Sequence, residues 1–170
     1  VPKCMVELAG RPLLSYQLAT IKKFNIPTDD IALVGGYKID AFKEFFFKKF
    51  ENVNYASTNM VKTLFCARDF MQHGEDLIIS YGDIIYEEKV LKALFNCHGS
   101  ICIAADTDWE RLWRLRMDNP LNDAETFIMD EDLTIKEIGK KPRSYSQVKA
   151  QYMGLIKIRG DMITKFIDTY

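Results

Sequence analysis

Short apolar runs alternate with helix-patterned stretches along the first half of the chain, and this alternation constrains the fold more than any other feature. Residues 31–34, 77–81 and 101–105 are apolar runs of strand length, each followed by a glycine or an acid. Apolar residues recur at three- and four-residue spacing before, between and after them. The first such set is Leu13, Leu14, Leu18, Ile21 and Phe24, and the second is Phe42, Phe45, Phe46 and Phe50 within 39–50. Val61, Leu64, Phe65, Phe70 and Met71 make a third, and Val90, Leu91, Leu94 and Phe95 a fourth. Strands alternating with helices predict a mainly parallel sheet covered by helices on both faces.

The second half changes character. Residues 108–116 are rich in charge and carry Trp109, Leu112 and Trp113. Residues 126–129 and 133–138 read as two strands joined by Asp130-Glu131-Asp132, a hairpin. Residues 150–158 read as a last strand interrupted by Gly154, and Gly160 or Asp161 opens a final helix. Residues 9–12 predict a turn, with Pro12 at a first helical position, and 53–56 a short edge strand. Gly35-Gly36 is expected to be a turn out of a strand rather than a phosphate loop. With 170 residues, the expectation is one domain, 1–170, with an inserted β region.

Composition narrows the function. A formal net charge of −1 gives no global reason to expect nucleic acid or an acidic membrane as partner. The four cysteines, Cys4, Cys66, Cys97 and Cys102, show no CxxC pair and are expected to be free thiols in a reducing cytoplasm. No apolar run approaches the ~20 residues of a membrane span, and no signal peptide is recognisable. The chain begins at Val1-Pro2-Lys3 without Met and ends within a helical pattern, so it is expected to be part of a longer protein.

Asp83 stands first among the candidate chemical residues. It follows the run 77–81 and Gly82, which brings a carboxylate to the carboxyl edge of a sheet, where ligands of α/β proteins bind. Such a carboxylate can hold Mg²⁺, or it can cap a turn. Lys3, after Pro2, can meet a phosphate as a point charge or be a surface lysine. Asn59 and Thr63 share one face of a helix start, where they could read a nucleotide, but spacing alone favours Asn59 as an N-cap. Trp109 and Trp113, also four apart, could wall a cationic group or pack in a core. His73 and His98 are isolated and are read as incidental.

Taken together, several stretches resemble a known family. Pro2-Lys3-Cys4-Met5-Val6-Glu7-Leu8-Ala9-Gly10-Arg11-Pro12-Leu13-Leu14 is similar to the PK-x-(L/M)-x-x-(L/V)-x-G-(R/K)-P-L signature of sugar-phosphate nucleotidyltransferases. Asn59-Met60-Val61-Lys62-Thr63-Leu64 resembles the helix start of their cytidylyltransferase-like branch, and Tyr81-Gly82-Asp83 resembles the family's G-D metal site. Residues 108–113, 123–125 and 151–155 fit the same branch, which includes phosphocholine cytidylyltransferases and phosphonate-associated enzymes.

The resemblance implies a three-layer α/β/α fold with a mixed, mostly parallel sheet, the nucleotide-diphospho-sugar transferase fold. It implies transfer of a nucleotidyl group, cytidylyl by preference, from an NTP to a small phosphorylated alcohol or phosphonate, with release of pyrophosphate and with Mg²⁺ as cofactor. By resemblance, Lys3 and Asp83 are catalytic and Asp83 is the metal ligand. Lys3, Asn59, Thr63 and Gly82 face the nucleotide, and Trp109, Trp113, Tyr152 and Gly154 line the acceptor side. The family's glycine-rich phosphate loop and second metal-binding acid are expected outside these residues, so that the fragment by itself is expected to be inactive. A sugar-1-phosphate nucleotidylyltransferase and a non-catalytic binding module on the same fold are the alternatives.

Overall fold

The structure is a computed structural model that describes residues 1–71 and 74–170; His73 lies outside the described residues. The chain divides into two compact units, Val1–Cys102 with Ile156–Tyr170, and Ile103–Leu155.

In the first unit, β1 (Glu7–Leu8) and β2 (Arg11–Pro12) form a small antiparallel hairpin. Its two central residues, Ala9 and Gly10, have φ of 50° and 75°, the twist that a two-residue hairpin turn needs. Helix α1 (Leu13–Lys22) follows directly. β3 (Ala32–Gly35) pairs in parallel with β4 (Lys48–Glu51). Helix α2 (Met60–Phe65) is capped by Asn59, whose side-chain oxygen accepts from the Lys62 N–H. β5 (Leu77–Ser80) leads to the Gly82-Asp83 turn, and α3 (Glu88–Phe95) follows. β6 (Ile101–Asp106) begins here and runs on into the second unit.

Helix α4 (Trp109–Arg114) and the antiparallel pair β7 (Phe127–Met129) and β8 (Ile135–Ile138) belong to the second unit. The expected hairpin is present, with a register shift at Ile128/Met129. β9 (Gln151–Ile158) leads back to the first unit, and a three-stranded sheet has the order β5-β9-β6. Gly154, at φ 83°, gives β9 a backbone conformation that side chains disfavour. A 3₁₀ turn over Gly160–Met162 then enters α5 (Ile163–Asp168). Met71, Ile158, Ile163 and Ile167 form one buried cluster, with Leu77, Ile79 and Ile156 packed against it.

Three expectations are corrected. Residues 39–50 are not one helix: a 3₁₀ turn covers Ile39–Phe42, and Lys48–Glu51 is β4. Phe42 and Phe47 are buried while Phe46 is exposed, so the helical spacing of the phenylalanines coincided with an inward side that a strand entry produces. The edge strand expected at 53–56 is a turn, because the strand that pairs β3 lies just before it. Cys97 and Cys102 are joined in a disulfide, against the expectation of four free thiols. The chain reverses between α3 and β6 and brings their Cα atoms to 6.5 Å, within bridging range. Cys4 and Cys66 are free and half-buried.

One polar network inside the first unit bears on stability. The Lys157 side chain is 6 % exposed and its ammonium pairs with Asp76 at 3.0 Å. It also donates to the carbonyls of Phe95 and Cys97, at 2.9 and 3.0 Å. Asp76 in turn accepts from the Gly160 N–H at 2.8 Å.

Candidate functional site

Lys3 and Asp83 are the pair that the sequence singles out and that the structure brings together. Pro2 is buried and starts a 3₁₀ turn over Lys3–Met5, which leaves the Lys3 side chain in solvent. β5 ends at Ser80, and Asp83 stands on the turn that follows. The Lys3 ammonium lies 3.8 Å from the Asp83 carboxylate, with side chains 87 % and 40 % exposed. A contact this long and this solvated contributes little to stability. Either group can exchange its partner for a ligand: the ammonium for a phosphate oxygen, the carboxylate for a cation.

Gly82 has a reason within the chain itself. A Cβ placed on it would come to 3.0 Å from the Cys4 Cβ, so the turn carrying Asp83 packs directly against the residue after Lys3. Burial pushes the Cys4 thiol up, and the neighbouring Asp83 charge adds to that against a lowering backbone hydrogen bond. Cys4 is therefore a packing thiol here rather than a nucleophile.

Mg²⁺ binds through one or two carboxylates together with substrate phosphates, and keeps several of its waters. An exposed aspartate on a turn fits that demand. Among the described residues no group of three or more His, Cys, Asp or Glu could hold a metal.

Asn59 and Thr63 lie in the same unit. Thr63 accepts from the buried Asn52 amide at 2.8 Å and donates to the Asn59 carbonyl at 3.2 Å. Much of its hydrogen-bonding capacity is thus used inside the fold, and the Asn59 oxygen caps α2 at 3.0 Å.

The acceptor-side candidates belong to the second unit. Trp109 is 3 % exposed, packed with Ala124 and Val148, and its indole N–H donates to the Val148 carbonyl at 3.1 Å. It is a core residue and not an open aromatic wall, which corrects the role expected of it. Trp113 is half-buried, donates to Asp123 at 3.0 Å, and carries the Arg116 guanidinium 5.7 Å above its ring. Tyr152 and Gly154 sit on β9, half-buried and buried. Trp109→Phe keeps a ring but strands the Val148 carbonyl, so a loss of about 1–3 kcal/mol in urea unfolding is expected. Unchanged stability would show that the hydrogen bond to Val148 contributes nothing measurable.

Gln17 is the residue that sequence reasoning passed over. It is 4 % exposed, and its amide donates to the carbonyls of Tyr81 and Ile84, both at 2.7 Å. Its oxygen accepts from the Ser80 hydroxyl at 3.0 Å. The available signal was a polar residue three positions from Leu14 and four from Ile21, on the apolar stripe of α1.

No family model matches the chain. CTP:phosphoglutamine cytidylyltransferase of Campylobacter jejuni is 40% identical over 178 residues, covering 99% of this chain and 69% of the relative. The solved inositol-1-phosphate CTP transferase of Thermotoga maritima superposes with a TM-score of 0.66 at 18% identity, over 96% of this chain and 64% of that one. A Bacillus anthracis structure described as a glucose-1-phosphate thymidylyltransferase superposes with a TM-score of 0.69 at 15% identity, over 99% of this chain and 67% of that one. The chain thus spans about two thirds of the length of each of these proteins, and its fold is the one they share.

Proposed function

This chain belongs to the nucleotidyltransferase family, with the cytidylyltransferases, and we propose that the whole protein transfers a cytidylyl group from CTP to a small phosphorylated acceptor. In that reaction an acceptor phosphate oxygen attacks the α-phosphorus of CTP, the new P–O bond forms, and pyrophosphate leaves. Positioning and charge neutralisation supply most of the acceleration in such a transfer. The observation that carries the reading is the Lys3–Asp83 pair at the end of β5, in a chain 40% identical to a cytidylyltransferase.

On this reading Lys3 meets a phosphate oxygen, and Asp83 is the protein's ligand to Mg²⁺. When bound, the ion would neutralise charge on the phosphates. Asn59 and Thr63 lie toward the nucleotide. Trp113, Tyr152 and Gly154 are proposed for the acceptor side, without Trp109. Because Arg116 already occupies the Trp113 ring, an anionic acceptor suits that residue better than a quaternary ammonium. Phosphoglutamine is therefore the first acceptor to try, ahead of phosphocholine. Among the described residues no helix is long and apolar enough to cross a membrane. The cytoplasm, where nucleoside triphosphates are made, is the compartment the reaction calls for. There the Cys97–Cys102 bridge would face a reducing thiol pool.

The test is a matrix of the four NTPs against phosphoglutamine, inositol 1-phosphate, phosphocholine, 2-aminoethylphosphonate and sugar 1-phosphates, run on the full protein with pyrophosphate as the readout. Release confined to CTP and one phosphorylated acceptor is expected. No pyrophosphate in any well would sink the reading and leave a binding module on the same fold.

A further inference from the structure

We propose that Gln17 is a positioning residue for Asp83. The inference rests on the assignment of Asp83 as the cation ligand given above, and extends it to a residue on a different element. A buried amide is costly unless its hydrogen bonds are made. Those of Gln17 go to the turn that carries Asp83. One amide nitrogen spans that turn, donating at 2.7 Å to the carbonyl of Tyr81 on one side of Gly82-Asp83 and at 2.7 Å to that of Ile84 on the other. Both of its protons are then committed.

The two carbonyls only accept, so they require the nitrogen end of the amide to face them, and Ser80, the last residue of β5, donates to the Gln17 oxygen at 3.0 Å. The same turn is braced from elsewhere in the unit by Cys4, whose Cβ would stand 3.0 Å from a Cβ on Gly82. Asp83 is exposed and, among the described residues, its ion pair is the 3.8 Å contact to Lys3, too long and too solvated to hold the carboxylate in place. Its position follows from the backbone of the turn, and the backbone of the turn follows from Gln17. A glutamate at this position would set carboxylate oxygens against two carbonyls, and a leucine would remove the amide donor from both, with the Ser80 hydroxyl 3.4 Å from the Tyr81 carbonyl.

The experiment compares Gln17→Leu, Gln17→Glu, Ser80→Ala and Asp83→Asn in the full protein. Three quantities are read: amide hydrogen exchange at residues 82–84 in the absence of ligands, the Mg²⁺ concentration for half-maximal turnover, and the KM for the acceptor. Both Gln17 variants should raise exchange at 82–84 and raise the half-activating Mg²⁺ by about 10-fold, since a displacement of the order of an ångström at a reacting centre is felt strongly. The acceptor KM should stay within about twofold of wild type. Ser80→Ala, which leaves the donors of Gln17 in place, should shift the same two quantities less.

Unchanged exchange at 82–84 would overturn the clamp. Raised exchange with unchanged Mg²⁺ dependence would make Gln17 structural only and overturn its positioning role. Should the Gln17 variants fail to fold, Ser80→Ala decides alone, and no shift in it overturns the proposal. Asp83→Asn separates the two levels: if it leaves the Mg²⁺ dependence intact, the assignment of Asp83 has failed. If it abolishes that dependence while Gln17→Leu does not move it, only the role of Gln17 has failed.

Discussion

Asp83→Asn is expected to lower turnover of the full protein by about 10²–10³-fold, the range typical for losing one preorganised electrostatic group at a reacting centre. Asparagine keeps the shape and removes the charge, so packing of the turn against Cys4 is preserved. Stability should hardly change, because the carboxylate is 40 % exposed and its ion pair to Lys3 is a 3.8 Å contact of the kind worth under about 1 kcal/mol. A variant with wild-type unfolding behaviour and a collapsed rate is therefore the expected result. It is checked by following pyrophosphate release beside urea denaturation. Turnover within tenfold of wild type would move the cation site away from β5 while leaving family membership untouched. A variant lost to misfolding would contradict the solvated geometry of the turn. Lys3→Met belongs in the same series, since it removes the other charge of the pair at a still more exposed position.

Much of what surrounds Asp83 was legible because it is local. The run 77–81 before Gly82 reads as a strand ending in a turn, and β5 with its turn is found there. Asn59 as a cap depends only on its own side chain and the helix that follows it. The strand pair 126–129 and 133–138 carries its turn chemistry between its strands, and β7 and β8 pair as expected.

What was not legible depends on partners distant in sequence. Phe42, Phe45, Phe46 and Phe50 carry a helical period, but β3 presents a row of backbone N–H and C=O groups that must be paired. Lys48–Glu51 meets that need as a parallel neighbour, and the requirement outweighs the local period. Cys97 and Cys102 carry no spacing signature, and only the reversal between α3 and β6 brings them together. Gln17 reads as a blemish on an apolar stripe until its two acceptors, more than sixty residues away, come into view. Trp109 and Trp113 share a spacing and one apolar cluster but not a depth: Trp109 is buried with Ala124 and Val148, and Trp113 is half-buried against them.

The buried Lys157 should make its exposed partner, Asp76, the more damaging of the two to lose. The side chains are 6 % and 42 % exposed, and they meet at 3.0 Å. Lys157→Met leaves Asp76 charged but within reach of water and still accepting from Gly160. What is lost is the donor to the Phe95 and Cys97 carbonyls, on the order of 2 kcal/mol. Asp76→Asn instead leaves an ammonium buried without a counter-charge, a situation that costs about 3–5 kcal/mol. The double variant should be close to Lys157→Met alone, since with the ammonium gone the carboxylate has no buried charge to compensate.

Titration gives a second reading of the same pair. Burial by itself would raise the Asp76 carboxyl, but the Gly160 N–H, the Lys157 ammonium and the Arg159 guanidinium outweigh it and hold the group below its ordinary range. With the folded pKa below the unfolded value of about 3.9, the contribution is fully present above that pH and is lost as the pH falls through the folded pKa. Wild type should therefore lose stability over this acid stretch by an amount that Asp76→Asn does not show. Urea unfolding of the four proteins at pH 7 and across the acid limb checks both statements. A larger loss at pH 7 for Lys157→Met than for Asp76→Asn would show that the two carbonyls, and not the buried charge, govern this corner of the fold.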